Sequence, residues 1–250
     1  MSEYSGLELS RTSDRLPAIA GLAREFQEVE SEGVRPVYLA GLWKDSLIND
    51  LLWRVTKPLK GRCEDRPRDH HPPTWSWASV NGRVSYWPEG FYDKGFEILS
   101  AETSSAAYTD CFGESTGGRI TVIGHIRPAT LFHNRVVASN SSSKLESWQF
   151  SLAIMGKIIK MFADYCLANP GPGCVGDHDE VFCLGNFISS SLRASLVVRK
   201  CVTEEGVIGY ERIGIVQLPR EPNNSKGTPS IVSIEGTWND PMEHVTITML

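Results

Sequence analysis

The sequence predicts an α+β fold, in which two N-terminal helices pack on a largely antiparallel β-sheet or barrel. Helical spacing of apolar residues predicts two helices within residues 1–56, and after Pro88 the chain becomes a succession of short alternating patterns separated by turn residues. Helices that precede a long run of strands are typical of this class. We expect a single domain over residues 1–250, with a helical segment at 1–56, a loop at 57–73 and a β-rich body at 74–250.

The first predicted helix begins at Ser13 or Asp14, either of which can cap it, and Pro17 suits its first turn. Its apolar side chains recur at helical spacing, at Ile19, Leu22, Ala23 and Phe26. A stripe of this kind needs a partner surface that covers it. We therefore expect the helix to dock on the larger body of the protein.

A second amphipathic helix is predicted in YLAGLWKDSLINDLLWRV, after Gly33 and Pro36 have broken the chain. One helical face would carry large apolar residues, with Leu52 beside them: Trp43, Leu47, Leu51 and Val55. Core packing is the expected role of both helices. Residues 56–73 are charged and contain four prolines, which indicates a solvated connection, with a lid as the alternative.

The stretch PTWSWASVNGRVSYW predicts a β-hairpin around Asn81-Gly82, the pair that most readily adopts the two positive φ angles of a type I′ turn. A two-residue turn would pair Ser79 with Val84, Trp77 with Tyr86 and Trp75 with Pro88. One face would then carry Trp75, Trp77, Val84 and Tyr86. Each Trp or Tyr can bury on the order of 150–250 Å². This face is expected to line a core, a ligand cavity or a partner surface.

Strands account for most of the remaining chain. They are predicted at 96–100, 119–127 and 131–138, and in VFCLGNF, SLRASLVVRKCV, GYERIGIVQL and HVTITML. Residues 148–162 fit either one helix or two strands that meet at a turn near Gly156, and we favour the strands. Residues 139–143 are predicted as an exposed turn and residues 169–180 as a loop.

Composition excludes several classes of function. The net charge is −5 and the pI is near 5.7, which argues against a nucleic-acid partner. The one basic cluster, at 57–68, is diluted by acidic residues and is interpreted as a solvated loop. No apolar run approaches the length of a membrane span, and the N-terminus lacks the pattern of a signal peptide. A cytoplasmic location is therefore expected.

Motifs for metal or nucleophilic chemistry are weak. The six cysteines form no C-x-x-C pair, which favours reduced thiols over a zinc site. Asp177-His178-Asp179 and His70-His71 are interpreted as loop features. No P-loop occurs, and the strings GESTG at 113–117 and GPGCVG at 171–176 lack the strand–turn–helix setting that a serine elbow or a Rossmann fingerprint requires. His125 and Arg127 would project to one face of a strand and are the best hydrogen-bond donors outside the hairpin, although a structural role is the favoured interpretation for His125.

Four features in the same order resemble the C-terminal portion of fungal heterokaryon-incompatibility (HET) domain proteins. They are SDRLPAIAGLA, YLAGLW followed by LLW, PTWSWASVNGRV, and the closing CL…LVVRK…YERIG series. The resemblance covers nearly the whole chain. In those proteins the HET domain itself is linked to non-self recognition and cell death, but its YxALSYxWG-like and WIDALCINQ-like motifs do not occur here, so the resemblance does not carry over its signalling activity or its functional residues. The length also resembles short HET-tail-like proteins of fungal biosynthetic clusters, including norbornene-forming Diels–Alderases of sordarin-type pathways.

Two hypotheses follow from these resemblances. The first is a cofactor-free pericyclase for terpenoid secondary metabolism, which folds a hydrophobic small molecule into its reactive conformer. Trp75, Trp77 and Val84 would bind the substrate, while Tyr86, His125 or Arg127 would polarise a carbonyl. The second is a stand-alone interaction module that meets its partners through loops and is not an enzyme. A closed apolar pocket would favour the first, and a solid core with an apolar patch outside would favour the second.

Overall fold

Strands make up about half of the described residues, and the described helices are short. The computed structural model describes residues 1–28, 35–57, 64–66, 72–88, 90–105, 111–140, 143–154, 156–171, 173–203, 206–219 and 243–250. The α-helices are α1 (Ser2–Ser5), α2 (Ala20–Glu28) and α3 (Leu47–Asp50). The short strands of the N-terminal part are β1 (Tyr38–Leu39), β2 (Leu42–Trp43), β3 (Arg54–Lys57) and β4 (Arg83–Ser85). The long strands are β5 (Glu97–Ser105), β6 (Ser115–Asn140), β7 (Ser143–Ile154), β8 (Lys157–Ala163), β9 (Glu180–Ile188), β10 (Leu192–Val202), β11 (Ile208–Pro219) and β12 (Glu243–Met249).

The eight long strands form one large sheet, which confirms the predicted largely antiparallel architecture. The strand order is β10-β9-β6-β12-β11-β8-β7, with β5 paired to β6 outside this path. Two additional pairings, β10 with β11 and β6 with β7, join strands that are not neighbours in that order. Of the pairings between described strands in this sheet, β11 with β12 is parallel and the others are antiparallel.

Strand β6 organises this sheet. The strands predicted separately at 119–127 and 131–138 are one continuous strand, so the predicted break between them is wrong. Along one edge, β6 pairs with β12 up to Ile126 and with β7 from Thr130 onward. Pro128 lies between these two stretches, where its missing N–H removes no ladder hydrogen bond. The change of partner therefore accommodates a proline in the middle of a long strand.

The other strand predictions hold closely. Residues 148–162 form the end of β7 and β8, which meet at Gly156 with φ of +77°, a conformation that favours glycine. Strands β9, β10, β11 and β12 lie where their sequences predicted them. The predicted loop at 169–180 has no regular structure at its described residues until β9 begins. The turn predicted at 139–143 lies partly outside the described residues.

The N-terminal segment departs from the prediction. The first helix is real but interrupted: two 3₁₀ turns, Thr12–Arg15 and Pro17–Ile19, precede α2. The continuous second helix is wrong. Its YLAGLW part is a small hairpin of β1 and β2, and only α3 is α-helical before β3 begins. The turn residues Ala40 and Gly41 have φ of 48° and 95°, so the hairpin turn with two positive φ angles occurs here.

The hydrophobic core divides into two main clusters, which contact opposite faces of β6. Ile120, Val122 and Ile126 belong to the cluster that packs against the N-terminal part of the chain. Ala129 and Leu131 belong to the cluster enclosed with β7, β8 and the 165–175 segment. The five described cysteines are all free thiols. Within the described part of the chain, we find no helix with the length and apolarity of a membrane crossing.

A buried ion pair connects these parts. Arg212 on β11 and Asp164 at the end of β8 are both fully buried, with the Arg212 Nε 3.0 Å from an Asp164 oxygen and the Nη2 3.2 Å from the other. The remaining guanidinium donors bind the carbonyl oxygens of Leu51 and Trp53, and the Trp53 ring lies 3.4 Å below the guanidinium carbon. Burial raises the pKa of Asp164, and the adjacent Arg212 opposes that shift.

The backbone around Arg212 carries a second set of tertiary contacts. Its N–H donates to Thr74 Oγ1 at 3.1 Å, and Thr74 in turn donates from both its N–H and its hydroxyl to the carbonyl of Leu250. Its carbonyl accepts a hydrogen bond from Arg66, whose guanidinium stacks 4.4 Å from the Tyr165 ring. One position on β11 therefore joins the 51–53 segment, the start of the WSWAS segment and the end of β12.

We predict that Asp164→Asn lowers the free energy of unfolding by about 3–5 kcal/mol, because it leaves Arg212 charged and uncompensated in the core. Urea denaturation followed by circular dichroism measures this loss. Glu211→Gln is the matched control: its partner Arg199 and Glu211 itself are partly exposed, so we expect a loss of about 1 kcal/mol or less. Equal losses in the two variants would contradict the central role of the buried pair.

Candidate functional site

The predicted aromatic hairpin does not form. Residues Trp77–Ser79 are a 3₁₀ turn, and β4 pairs with β3 and not with the WSWAS segment. Val84 lies opposite Val55, so the predicted pairing of Ser79 with Val84 is wrong, as are the pairings that would follow it along the ribbon. Asn81 and Gly82 are not among the described residues with positive φ. The type I′ geometry that these two residues predicted is therefore not used.

Contacts with the β1–β2 turn explain this outcome. Ser76 Oγ donates to the carbonyl of Ala40 at 2.6 Å and accepts from the Ala78 N–H at 3.1 Å, which caps the 3₁₀ turn. Trp77 Nε1 donates to the carbonyl of Gly41 at 3.0 Å. A Cβ at Gly41 would stand 2.5 Å from that indole nitrogen. Gly41 therefore meets two requirements: the positive φ of the β1–β2 turn and the close approach of the Trp77 indole.

The proposed substrate wall lies inside the protein core. Trp75, Trp77 and Val84 are each 0% exposed and belong to the cluster that holds the N-terminal segments. The Trp77 ring meets Tyr4 of α1 edge-on at 6.0 Å between centroids. Trp75 contributes its carbonyl oxygen to the Trp53 indole N–H at 2.9 Å. In this structure the two indoles consolidate packing between the N-terminal segments and the sheet.

The three predicted donors are divided between two faces of the sheet. Tyr86 packs at the edge of the cluster that contains the indoles, and burial raises its pKa, so the phenol stays protonated. His125 and Arg127 alternate with Val122 and Ile126 along β6, so they project to the opposite face. Burial raises the pKa of the Cys183 thiol to about 12, and the positive charge of the buried Arg127 opposes that shift. The predicted donors and the predicted wall do not converge on one site.

Other sequence candidates have local roles. Asp177 accepts the His133 backbone N–H at 2.8 Å, which lowers its pKa, and His178 lies 3.5 Å from it with φ of +68°. The carboxylate of Asp179 accepts the Gly176 N–H at 2.6 Å. These contacts order the loop before β9. His70 and His71, and most of the predicted lid, lie outside the described residues.

An exposed apolar face on α2 is the candidate site that the structure reveals. Leu22 and Phe26 are 71% and 58% exposed, although the sequence placed both in a buried stripe. The small residues Ala20 and Ala23 are buried in their place. The Phe26 ring packs against the half-buried Trp43 of β2, with 4.8 Å between the ring centroids. The predicted docking of the complete stripe on this chain is therefore wrong, and half of it remains uncovered.

The same face extends onto the residues that lead into β1. Val37 is 46% exposed, and Gln27 on α2 donates to the Pro36 carbonyl at 2.7 Å, which holds the two segments together. Below the surface, the Tyr38 ring meets Trp43 edge-on at 5.2 Å between centroids and lies tilted against Phe112 at 4.9 Å. We refer to Leu22, Phe26, Val37 and Trp43 as the α2 face. The presence of alanines at 20 and 23 was the sequence signal that the other side of α2 makes the close approach.

Comparisons with known proteins do not identify the chain. No protein-family model matches it, and neither the curated proteins nor the solved structures yielded a match. The resemblance to HET tails therefore remains a prediction from the sequence motifs.

We predict that Ser76→Ala destabilises the protein by about 1–3 kcal/mol, because it removes the cap of the 3₁₀ turn and leaves the buried carbonyl of Ala40 without its donor. Chemical denaturation of the variant measures this change. Ser100→Ala, at an exposed position on β5, is the matched control and should remain within about 0.5 kcal/mol of the parent protein. A cost no larger than that of the control would show that the contact between the two segments is dispensable.

Proposed function

We propose that this chain is a protein-interaction module of the kind that its resemblance to HET tails implies, and that the α2 face is its docking surface. The observation that supports the proposal is the combination of a filled aromatic core with large apolar side chains left exposed on one helix. Trp75 and Trp77, which a small-molecule site would need to expose, are buried, whereas Leu22 and Phe26 are exposed. Clustered exposed apolar residues are typical of interaction surfaces.

The chemistry of the face suits a protein partner. Phe26 and Trp43 are aromatic side chains with restricted rotamer freedom, the type enriched at the centres of interfaces. The Arg24 guanidinium carbon lies 5.4 Å from the Phe112 ring centroid, and Glu25 and Glu28 are exposed charged residues of the same helix. An apolar centre with a charged rim is the usual anatomy of a reversible interface. We further propose that the additional β10–β11 pairing closes the sheet into a barrel.

The partner that we propose is a HET domain. In the proteins that this chain resembles, the tail is accompanied by a HET domain. The proposed role is in non-self recognition or cell-death signalling. Under this proposal the chain contributes binding and positioning to the complex and no chemistry of its own.

We predict that Leu22→Asp combined with Phe26→Asp weakens binding at least about tenfold, since hot-spot losses commonly exceed about 1.4 kcal/mol. The probe is the HET domain of a HET-domain protein, expressed without its own tail, with affinity measured by isothermal titration calorimetry. Ile158→Asp, at a 73% exposed position on β8, is the control for added surface charge. Failure of the parent chain to bind, or equal binding by the double variant, would overturn the proposal.

A cofactor-free cyclase is the second candidate, and Tyr86 is the observation that favours it. Its protonated phenol could donate a hydrogen bond to a carbonyl of a hydrophobic substrate. Such an enzyme would have to open a chamber beside indoles that are fully buried here. Incubation of the chain with a terpenoid precursor that carries a diene and a dienophile, followed by chromatography, tests this. If the parent protein accelerates cyclisation and Tyr86→Phe slows it, the enzyme hypothesis replaces the interaction-module hypothesis.

A further inference from the structure

Two histidines that are distant in sequence face each other across β6 and β12. The register places His244 directly opposite His125, and their ring centroids are 5.0 Å apart with a 53° angle between the planes. Directly opposed residues of an antiparallel pair project to the same face of the sheet. The strand pairing therefore holds two imidazoles side by side.

The backbone of residue 95 orients the His244 ring. His244 Nε2 lies 2.8 Å from the carbonyl oxygen of Gly95. Because a carbonyl oxygen can only accept a hydrogen bond, Nε2 carries the proton in the neutral ring and Nδ1 keeps its lone pair. A backbone carbonyl bound to the far nitrogen is the common second contact of metal-binding histidines. His244 is exposed, so ions in solution can reach its ring.

Gly95 also packs on the His125 ring. A Cβ at residue 95 would stand 2.3 Å from His125 Cε1 and 2.7 Å from Nδ1, so the ring occupies space that only glycine leaves open. His125 Nδ1 is buried and has no hydrogen-bond partner among the described residues. Because Nδ1 is buried against Gly95, Nε2 is the nitrogen through which His125 would bind an ion. One glycine thus positions both imidazoles.

We propose that His125 and His244 together bind one divalent transition-metal ion, with Cu²⁺ preferred over Zn²⁺. Imidazole nitrogens are ligands for both ions, and Cu²⁺ binds a given nitrogen site more tightly. With metal–nitrogen bonds of about 2.0–2.1 Å, an ion that bridges two imidazoles keeps the ring centroids about 4.5 Å apart at the 90° angle of tetragonal Cu²⁺ and about 5 Å apart at the tetrahedral angle of Zn²⁺. The observed centroid separation of 5.0 Å lies close to these values.

The affinity should be moderate. The described residues offer no group of three or more His, Cys, Asp or Glu side chains suited to one metal ion, so water completes the coordination. Arg127 projects to the same face of β6, and its positive charge opposes a nearby dication. We therefore expect binding in the micromolar range, as a site independent of the α2 face.

The test is titration of the tag-free chain with Cu²⁺ and separately with Zn²⁺ by isothermal titration calorimetry, with electron paramagnetic resonance of the copper complex. We expect one ion per chain and nitrogen hyperfine coupling from two imidazoles. His125→Gln and His244→Gln should each weaken metal binding at least about tenfold. Loss of a hydrogen-bond partner of a metal ligand already costs about tenfold or more, and loss of the ligand itself should cost at least as much. His178→Gln, which changes an exposed histidine elsewhere, should leave the affinity unchanged.

Thermal unfolding provides a second measurement. The parent chain should melt at a higher temperature with excess Cu²⁺, because an ion that binds only the folded state stabilises it, and His244→Gln should abolish that shift. Since His244 is exposed, this variant should fold even if His125→Gln does not. Undetectable binding of both ions by the parent chain, or unchanged copper affinity and coupling in His244→Gln, would overturn the proposal.

Discussion

The buried guanidinium of Arg212 is the interaction on which the rest of this structure depends. It is fully buried, and its donors bind Asp164 from the main sheet and two carbonyl oxygens from the N-terminal part. A buried charge is tolerated only when its hydrogen-bonding capacity is satisfied with good geometry. The requirement is mutual, because the carbonyls of Leu51 and Trp53 also need donors once they leave water. The N-terminal segments and the sheet are therefore joined by polar contacts as well as by apolar packing.

The WSWAS segment meets the same requirement at a second place. Ser76 and Trp77 donate to the two carbonyls of the β1–β2 turn, so two motifs that are separated by more than thirty residues form one unit. Satisfied polar groups of this kind give a core a specific arrangement, because few alternative packings can pair every group. This specificity explains why the indole of Trp77 lies in the interior, whereas Trp75 Nε1 is buried without a hydrogen-bond partner among the described residues and that ring is held by apolar packing. A binding site that needs no rearrangement of this core would lie on the outer surface.

The outer surface presents two features of different chemistry. The α2 face is apolar and aromatic, which suits another protein, whereas the His125–His244 pair is polar and lies on the sheet. Both arise from tertiary constraints on neighbouring elements. Alanines at 20 and 23 make the close approach and turn Leu22 and Phe26 outward, and Gly95 leaves room for one imidazole while its carbonyl binds the other.

The sequence by itself determined the strands that follow Pro88, apart from the continuity of β6, together with the turn at Gly156 and the largely antiparallel sheet. Alternation of side chains and glycine conformation are local properties, so they are readable wherever a strand has one buried face. The sequence did not determine the structure of YLAGLW and WSWAS. Their local patterns favour a helix and a hairpin, but hydrogen bonds between the two segments outweigh those preferences. Which residues form a site was likewise decided only by the tertiary structure. The partner of His125, the exposure of Phe26 and the burial of Trp75 each depend on elements far away in the chain, and spacing along a sequence carries no information about such contacts.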